Sequence, residues 1–362
     1  MRFSYYYGMR LGDWLRLLAA ARFRVSPKCV HRACAYTLTS TVNSIFGFLE
    51  NIRYSSIIEA VEIESPPIFI LGHPRSGTTH LHNILALDSE FAAPTLPQVF
   101  FPHSFLLTER LVVRMLGSRF PRIREYDNMI LDLKNPQEEE LALCSLGAAS
   151  PYQSLLLPGA AENYSKFLRL RELPEDEIQR WIDIYSRYLK KLTYRYNRRL
   201  VLKSSPSTAR IETLLELFPE ARFVHISRHP FDLFKSYRAF ILYLHRNFAY
   251  LQEPDLEKLD DSILQYYNHM YDMFFAGLPL LAGNRFHNLK FEDLEKDPLQ
   301  EIGLLYEALE LPGFWKVRPE IERYMKRISG YRKNEYPVLT EKEKERISRN
   351  WKRSFDHWHY TY

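Results

Sequence analysis

Two rhythms of apolar and polar positions run along the chain. Over residues 9–60 the period is helical: Leu11, Trp14, Leu15, Leu17 and Leu18 fall on one side of a first helix, which Pro27 closes. Such a stripe suits packing on a main domain, contact with a membrane surface, or a lid over a binding site. At Pro66-Pro67 the rhythm changes to the continuous apolar run Ile68-Phe69-Ile70-Leu71, expected of a strand buried on both faces. Gly72 and Gly77 flank the loop that follows, and Leu81, Ile84, Leu85 and Leu87 resume helical spacing. The unit is strand, loop, helix.

The unit recurs. Leu200-Val201-Leu202 runs into Lys203-Ser204-Ser205-Pro206, and Ile211, Leu214, Leu215 and Leu217 then make a helical face. Ala221 to Ile226 reads as another buried strand ending in Ser227-Arg228-His229-Pro230, and Arg285 to Phe291 as a further one. Strands alternating with helices predict an α/β fold: a mostly parallel central sheet with helices on both faces. Residues 121–199 interrupt the strand rhythm with mainly helical spacing and are expected to form a cap. A helix is predicted at Leu299–Leu309, and the chain becomes charged from Glu320 onward. The expected organisation is a helical extension over 1–62, a main domain over 63–335 carrying the cap, and a charged tail over 336–362 packed on that domain.

Composition narrows the chemistry only a little. With 362 residues, 46% of them hydrophobic, the chain has ample material for a core. A net charge of +5 suits an anionic ligand but is too weak to indicate nucleic acid. Cys29, Cys34 and Cys144 have neither C-x-x-C pairing nor metal-ligand spacing, which points to a reducing, cytoplasmic setting without a disulfide framework or zinc site. Arginines at positions 10, 16, 22 and 24 interrupt any signal-peptide core, and no apolar run reaches the roughly 18 residues of a membrane span. Peripheral membrane contact stays compatible with the first helix.

The candidate chemistry begins at Pro74-Arg75-Ser76-Gly77-Thr78-Thr79. A loop leaving a buried strand and opening a helix offers backbone N–H groups and the positive helix end to an anion. Gly77 permits close approach, Thr78 and Thr79 add hydroxyls, and Arg75 adds a charge that does not titrate. The Lys-Ser/Thr pair of nucleoside triphosphatases is missing.

This string resembles the 5′-phosphosulfate loop of sulfotransferases that use the donor PAPS. A second motif, Arg228-His229-Pro230-Phe231-Asp232-Leu233-Phe234-Lys235-Ser236, is similar to the segment whose Arg and Ser hold the donor's 3′-phosphate in that family. Leu289 to Pro298 and Tyr331-Arg332-Lys333-Asn334 resemble two further family segments, the latter a basic loop that closes on the 3′-phosphate. The wider pattern is most like bacterial members with an N-terminal helical extension. The resemblance implies a P-loop-like, three-layer fold and transfer of a sulfonate group from PAPS to an acceptor hydroxyl on a small molecule, without a metal.

By the same resemblance, Arg75, Ser76, Gly77, Thr78, Thr79, Arg228, Ser236, Arg332 and Lys333 bind the donor. Arg75 replaces a lysine that neutralises the leaving phosphate in many members, and Lys203 matches one used against the sulfonate or bridging oxygen. Relatives carry a His or Glu base after the first helix, where this chain has Gln98. Glu140 and Glu138 are the first substitutes, followed by His103, with His82 a further candidate. His80 and Phe291 replace a Trp and a Tyr used in adenine recognition. The 14% aromatic content and the apolar N-terminal helices suggest a hydrophobic or lipid-like alcohol as acceptor. The alternatives are a P-loop-like kinase and a catalytically silent nucleotide-binding or membrane-associated scaffold.

Overall fold

A computed structural model describes residues 4–117, 123–124, 126–130, 132–160, 166–248, 250–253, 255–281 and 283–362. Parts of the expected extension and cap (1–3, 121–122, 125, 131 and 161–165) lie outside the described residues.

Five parallel strands form the centre: β1 (Ile68–Leu71), β2 (Phe91–Ala92), β3 (Arg199–Lys203), β4 (Arg222–Ser227) and β5 (Phe286–Lys290), in the spatial order β2-β3-β1-β4-β5. Side chains alternate across the sheet, so the buried runs feed two separate cores. Phe69, Leu71, Leu200, Leu202 and Phe223 join one, and Ile68, Ile70, Val201, Val224 and Ile226 the other. β1 is central, paired with β3 on one side and β4 on the other, with Phe69 opposite both Leu202 and Phe223. The connections therefore reverse direction at β1, the switch point at which open α/β sheets leave a crevice beyond the strand ends. The loops after β1, β3 and β4 meet there and bring Arg75, Lys203 and Arg228 to one edge.

The helices are α1 (Leu11–Ala20), α2 (Val30–Glu59), α3 (Thr78–Leu85), α4 (Leu96–Phe100), α5 (Phe105–Leu116), α6 (Glu139–Ser145), α7 (Gln153–Leu156) and α8 (Glu175–Tyr196). They continue as α9 (Ile211–Leu217), α10 (Pro230–Asn247), α11 (Leu259–Gly277), α12 (Phe291–Lys296), α13 (Pro298–Ala308), α14 (Phe314–Arg327), α15 (Glu341–Asn350) and α16 (Lys352–His357). Trp14, Leu17 and Leu18 of α1 are buried in the same core as Phe69, so the N-terminal stripe packs on the main body, while Leu15 stays exposed. Pro27 does not close α1; it opens a short turn of 3-10 helix that leads into α2.

The segment expected to be a helical cap is helical only in its later part. Residues 123–138, where described, run as turns with an isolated bridge between Ile123 and Ile130, and α6 starts only after Pro136. The charged tail forms two helices anchored by Trp351, Phe355 and Trp358, all buried. Among the described residues no helix is long and apolar enough to cross a membrane.

Candidate active site

The loop after β1 is built for close approach. Gly72 and Gly77 have φ of 147° and 104°, and a Cβ on Gly77 would lie 2.3 Å from the Phe291 ring, so no side chain fits there. Arg75 also has positive φ, 74°, which is uncommon for a bulky residue and occurs where surrounding structure fixes the backbone. Part of that fixing is visible: Arg228 donates from its guanidinium to the Arg75 carbonyl at 2.9 Å, joining the first phosphate motif to the second.

The Arg75 guanidinium is itself held on two sides. Its Nε donates to Ser236 Oγ at 3.1 Å and its terminal nitrogen to Asp127 at 2.9 Å. Asp127 is buried and also pairs with Arg124. Burial would raise its carboxyl, but Arg124 and Arg75 outweigh it and hold the group below the usual carboxylate range. Ser236 is buried, with the Tyr336 hydroxyl 3.1 Å away, and Ser76 Oγ is buried with no hydrogen-bond partner among the described residues. Phe291 packs between cations, with Arg228 4.7 Å and Lys333 5.5 Å from its ring centroid.

One large cavity of about 2500 Å³ opens from this edge. Arg75, Gly77, Thr78, Thr79, Arg228 and Phe291 line its donor end, and Lys203, Glu138 and Tyr152 line it beside them. Lys203 is almost fully buried; its Nζ bonds Glu138 Oε1 at 2.6 Å, and the Tyr152 hydroxyl donates to Glu138 Oε2 at 3.0 Å. Burial, with the Glu138 charge alongside, pushes the Tyr152 phenol well up, so Tyr152 remains a donor. Lys203 and Glu138 thus sit in contact in the cavity wall, beside Tyr152.

The other sequence candidates lie elsewhere. Glu140 is fully buried, 2.8 Å from the Arg210 guanidinium and 3.2 Å from Ser204 Oγ, and does not line the cavity. This corrects its ranking ahead of Glu138: both carboxylates are ion-paired, but of the two only Glu138 lines the cavity. His103 is corrected likewise, being buried against the Ser145 carbonyl and 3.7 Å from Asp13, away from the cavity. Burial and the charges of Arg10 and Lys191 press its imidazole well below the usual histidine range. His82 faces the Val201 carbonyl, and its burial lowers it to about 3. Gln98 is a capping-box residue of α4 that bonds Thr95, Glu109 and Tyr196. Arg332 and Lys333 are exposed; Lys333 pairs with Glu295, and the Arg332 carbonyl accepts from Asn128 at 3.3 Å.

Three participants were not singled out in the sequence. Asp127, Arg124 and Tyr152 reach the site from irregular or short elements far along the chain, and no spacing marks them. The nearest signal is the proximity of Arg124 and Asp127, which suits a local ion pair as readily as a site.

Comparison with known proteins decides what this constellation belongs to. A match to the group described as the sulfotransferase family covers residues 66–316. The chain belongs to that family. The sulfotransferase is 34% identical over 358 residues to a protein of Mycobacterium bovis called omega-hydroxy-beta-dihydromenaquinone-9 sulfotransferase Stf3, covering 98% of this chain and 90% of the relative. The protein of that name from Mycobacterium tuberculosis matches to the same extent. Among solved structures, sulfotransferase STF9 from Mycobacterium avium shares the fold with a TM-score of 0.73 at 17% identity, over 92% of this chain and 86% of that one. Sulfotransferase STF1 from Mycobacterium tuberculosis does so with a TM-score of 0.62 at 17% identity, over 87% and 86%. Membership makes the enzyme a PAPS-dependent sulfotransferase with the P-loop-like fold and sets aside the kinase and silent-scaffold alternatives.

Proposed function

We propose that this sulfotransferase moves a sulfonate group from PAPS to the hydroxyl of a long, apolar, lipid-like alcohol, giving a sulfate ester and PAP. The observation that carries the reading is the Lys203–Glu138 contact at the junction of the donor edge and the cavity. Drug-sized ligand pockets occupy roughly 300–1,000 Å³. The cavity here is about 2500 Å³, enough for a nucleotide and a long acceptor, and Leu96, Phe100, Val113, Leu155, Leu244 and Phe248 line it. The name of the Mycobacterium bovis relative refers to a hydroxylated menaquinone, an acceptor of the same chemical type.

The residues present suit the donor. Ser76 keeps a buried hydroxyl with no partner among the described residues, Gly77 lets the Phe291 ring lie against the loop, and the backbone N–H groups of Thr78 and Thr79 open α3. Arg75 and Arg228 supply fixed positive charge for the phosphates, Ser236 a hydroxyl for the 3′-phosphate, and Arg332 and Lys333 an outer basic loop.

In the proposed step, Glu138 takes the proton of the acceptor hydroxyl as its oxygen bonds to sulfur and the bond from sulfur to the phosphate oxygen breaks. Lys203 compensates charge on the sulfonate oxygens, and Arg75 compensates the charge left on the phosphate. Tyr152 orients Glu138. Replacing a general base costs on the order of 10²–10⁴ in rate. Glu138→Gln should therefore lower kcat by at least about a hundredfold while calorimetric PAP binding is retained. Undiminished turnover in this variant would remove Glu138 from the mechanism.

A further inference from the structure

Helix α2 has its polarity inside out. Its inward face carries Ser40, Asn43, Gly47 and Glu50, all buried. These bind protein: Asn43 donates to the Tyr7 and Met9 carbonyls, the Gly47 carbonyl accepts from Arg10 at 3.0 Å, and Glu50 pairs with Lys191 and accepts from the Leu107 N–H. The outward face carries Leu38, Val42, Ile45, Phe48, Leu49 and Ile52, between 44% and 70% exposed. Between Arg32 and Arg53 the only charged residue is the buried Glu50, so the exposed side of α2 is free of charge for about 28 Å at a rise of about 1.5 Å per residue. A surface helix in water normally presents the opposite arrangement, and an apolar patch of this extent marks a contact surface.

Two features select the occupant. Exposed arginines stand at both ends of the stripe: Arg22 and Arg24 flank the exposed Phe23 ahead of α2, and Arg53 follows Ile52, while Glu59 beyond it faces Arg187 at 3.8 Å. An antiparallel two-fold pairing of α2 with its copy would bring these like charges together, whereas anionic headgroups would complement them. The second feature is α5, which packs beside α2 through the Leu107–Glu50 bond. α5 exposes Leu111 and Met115 next to Arg110 and Arg114, while its Val113 and Leu116 line the acceptor cavity. Helix α5 thus carries exposed apolar side chains and cavity-lining ones on the same turns.

We infer that the outer face of α2, with the neighbouring face of α5, docks on an anionic lipid bilayer and presents the cavity to alcohols held in it. The docking deepens the lipid-acceptor reading and rests on it for its purpose, but not for its detection. The full-length protein is floated with vesicles of phosphatidylcholine and phosphatidylglycerol, and with phosphatidylcholine alone. The expected result is co-flotation that requires phosphatidylglycerol and weakens with salt. It should fall at least about tenfold in Leu38→Gln/Ile45→Gln/Phe48→Gln/Ile52→Gln, with calorimetric PAP binding unchanged. If that variant loses PAP binding, Arg22→Glu/Arg24→Glu/Arg53→Glu tests the same surface through its charge and should also lose flotation.

Wild-type protein that stays unbound, folded variants that float as well as wild type, or a stable solution dimer that the quadruple variant converts to monomer would each overturn the docking. Flotation involves no sulfonate transfer, so a failed acceptor assay with long-chain alcohols in the same vesicles would count against the acceptor reading alone.

Discussion

Gly77 is the residue on which the phosphate loop turns. Its φ of 104° is open to glycine and strained for any other residue, and a methyl group there would press on Phe291, which is itself held between Arg228 and Lys333. Gly77→Ala is expected to weaken PAP binding by at least about tenfold and lower stability by about 1–3 kcal/mol, measured by calorimetry and denaturant unfolding. Glu139 makes a different prediction. It is buried between two other glutamates, with Oε2 accepting from the Lys203 N–H at 2.9 Å and Oε1 unpartnered among the described residues. Burial raises its carboxyl from 4.5 to about 8, so the folded state keeps it neutral where the unfolded chain ionises. This group therefore costs stability progressively as pH rises from about 4.5 to about 8, and no more above that. Glu139→Gln keeps an acceptor for Lys203 and removes the titration. Its melting temperature should gain on wild type steadily across that window, and parallel curves would contradict the assignment.

At the scale of elements, the four longer strands and the helices after β1 and β3 were legible because buried runs and helical spacing are local properties. β2 was not, since two residues carry no period, and the stretch ahead of the connector at Asn135-Pro136 reads as helical although its described residues run as turns around Asp127. That the two motifs meet at the strand ends was equally legible, because Arg75 and Arg228 lie in contiguous strings that each follow a buried strand. For the proposed base the sequence offers Glu140 and Glu138 together: Glu138, Glu139 and Glu140 are adjacent, and only the packing of α6 distributes them, one to Lys203, one to a backbone N–H and one to Arg210. The tail is a further case in which function depends on packing. Tyr360 donates to Glu292 at 3.0 Å, and Glu292 in turn accepts from the His229 N–H at 2.9 Å, one residue after Arg228. Tyr360→Phe should loosen the start of α10 and weaken PAP binding about three- to tenfold, roughly the worth of one hydrogen bond to a charged group, with little change in kcat at saturating PAPS. Calorimetry beside steady-state kinetics checks this split.

Over the whole molecule, the parallel sheet gathers fixed cations at one edge, and the helices leave an apolar chamber beside them. Helix α2 carries a charge-free outer surface, and α5 packed beside it contributes Val113 and Leu116 to the chamber wall. On the proposed reading, donor and acceptor are met by different parts of the fold: the closely constrained strand-end loops and the helical walls. The central claim is that these two regions meet at Lys203 and Glu138 for transfer to an apolar alcohol. Its most direct test is the transfer of labelled sulfonate from PAPS to a panel of long-chain and prenyl alcohols, sterols, phenols and glycans. Label is expected on the long apolar alcohols and should be lost in Glu138→Gln; labelling confined to glycans, or equal in the variant, would rule out transfer at Lys203 and Glu138 to an apolar alcohol.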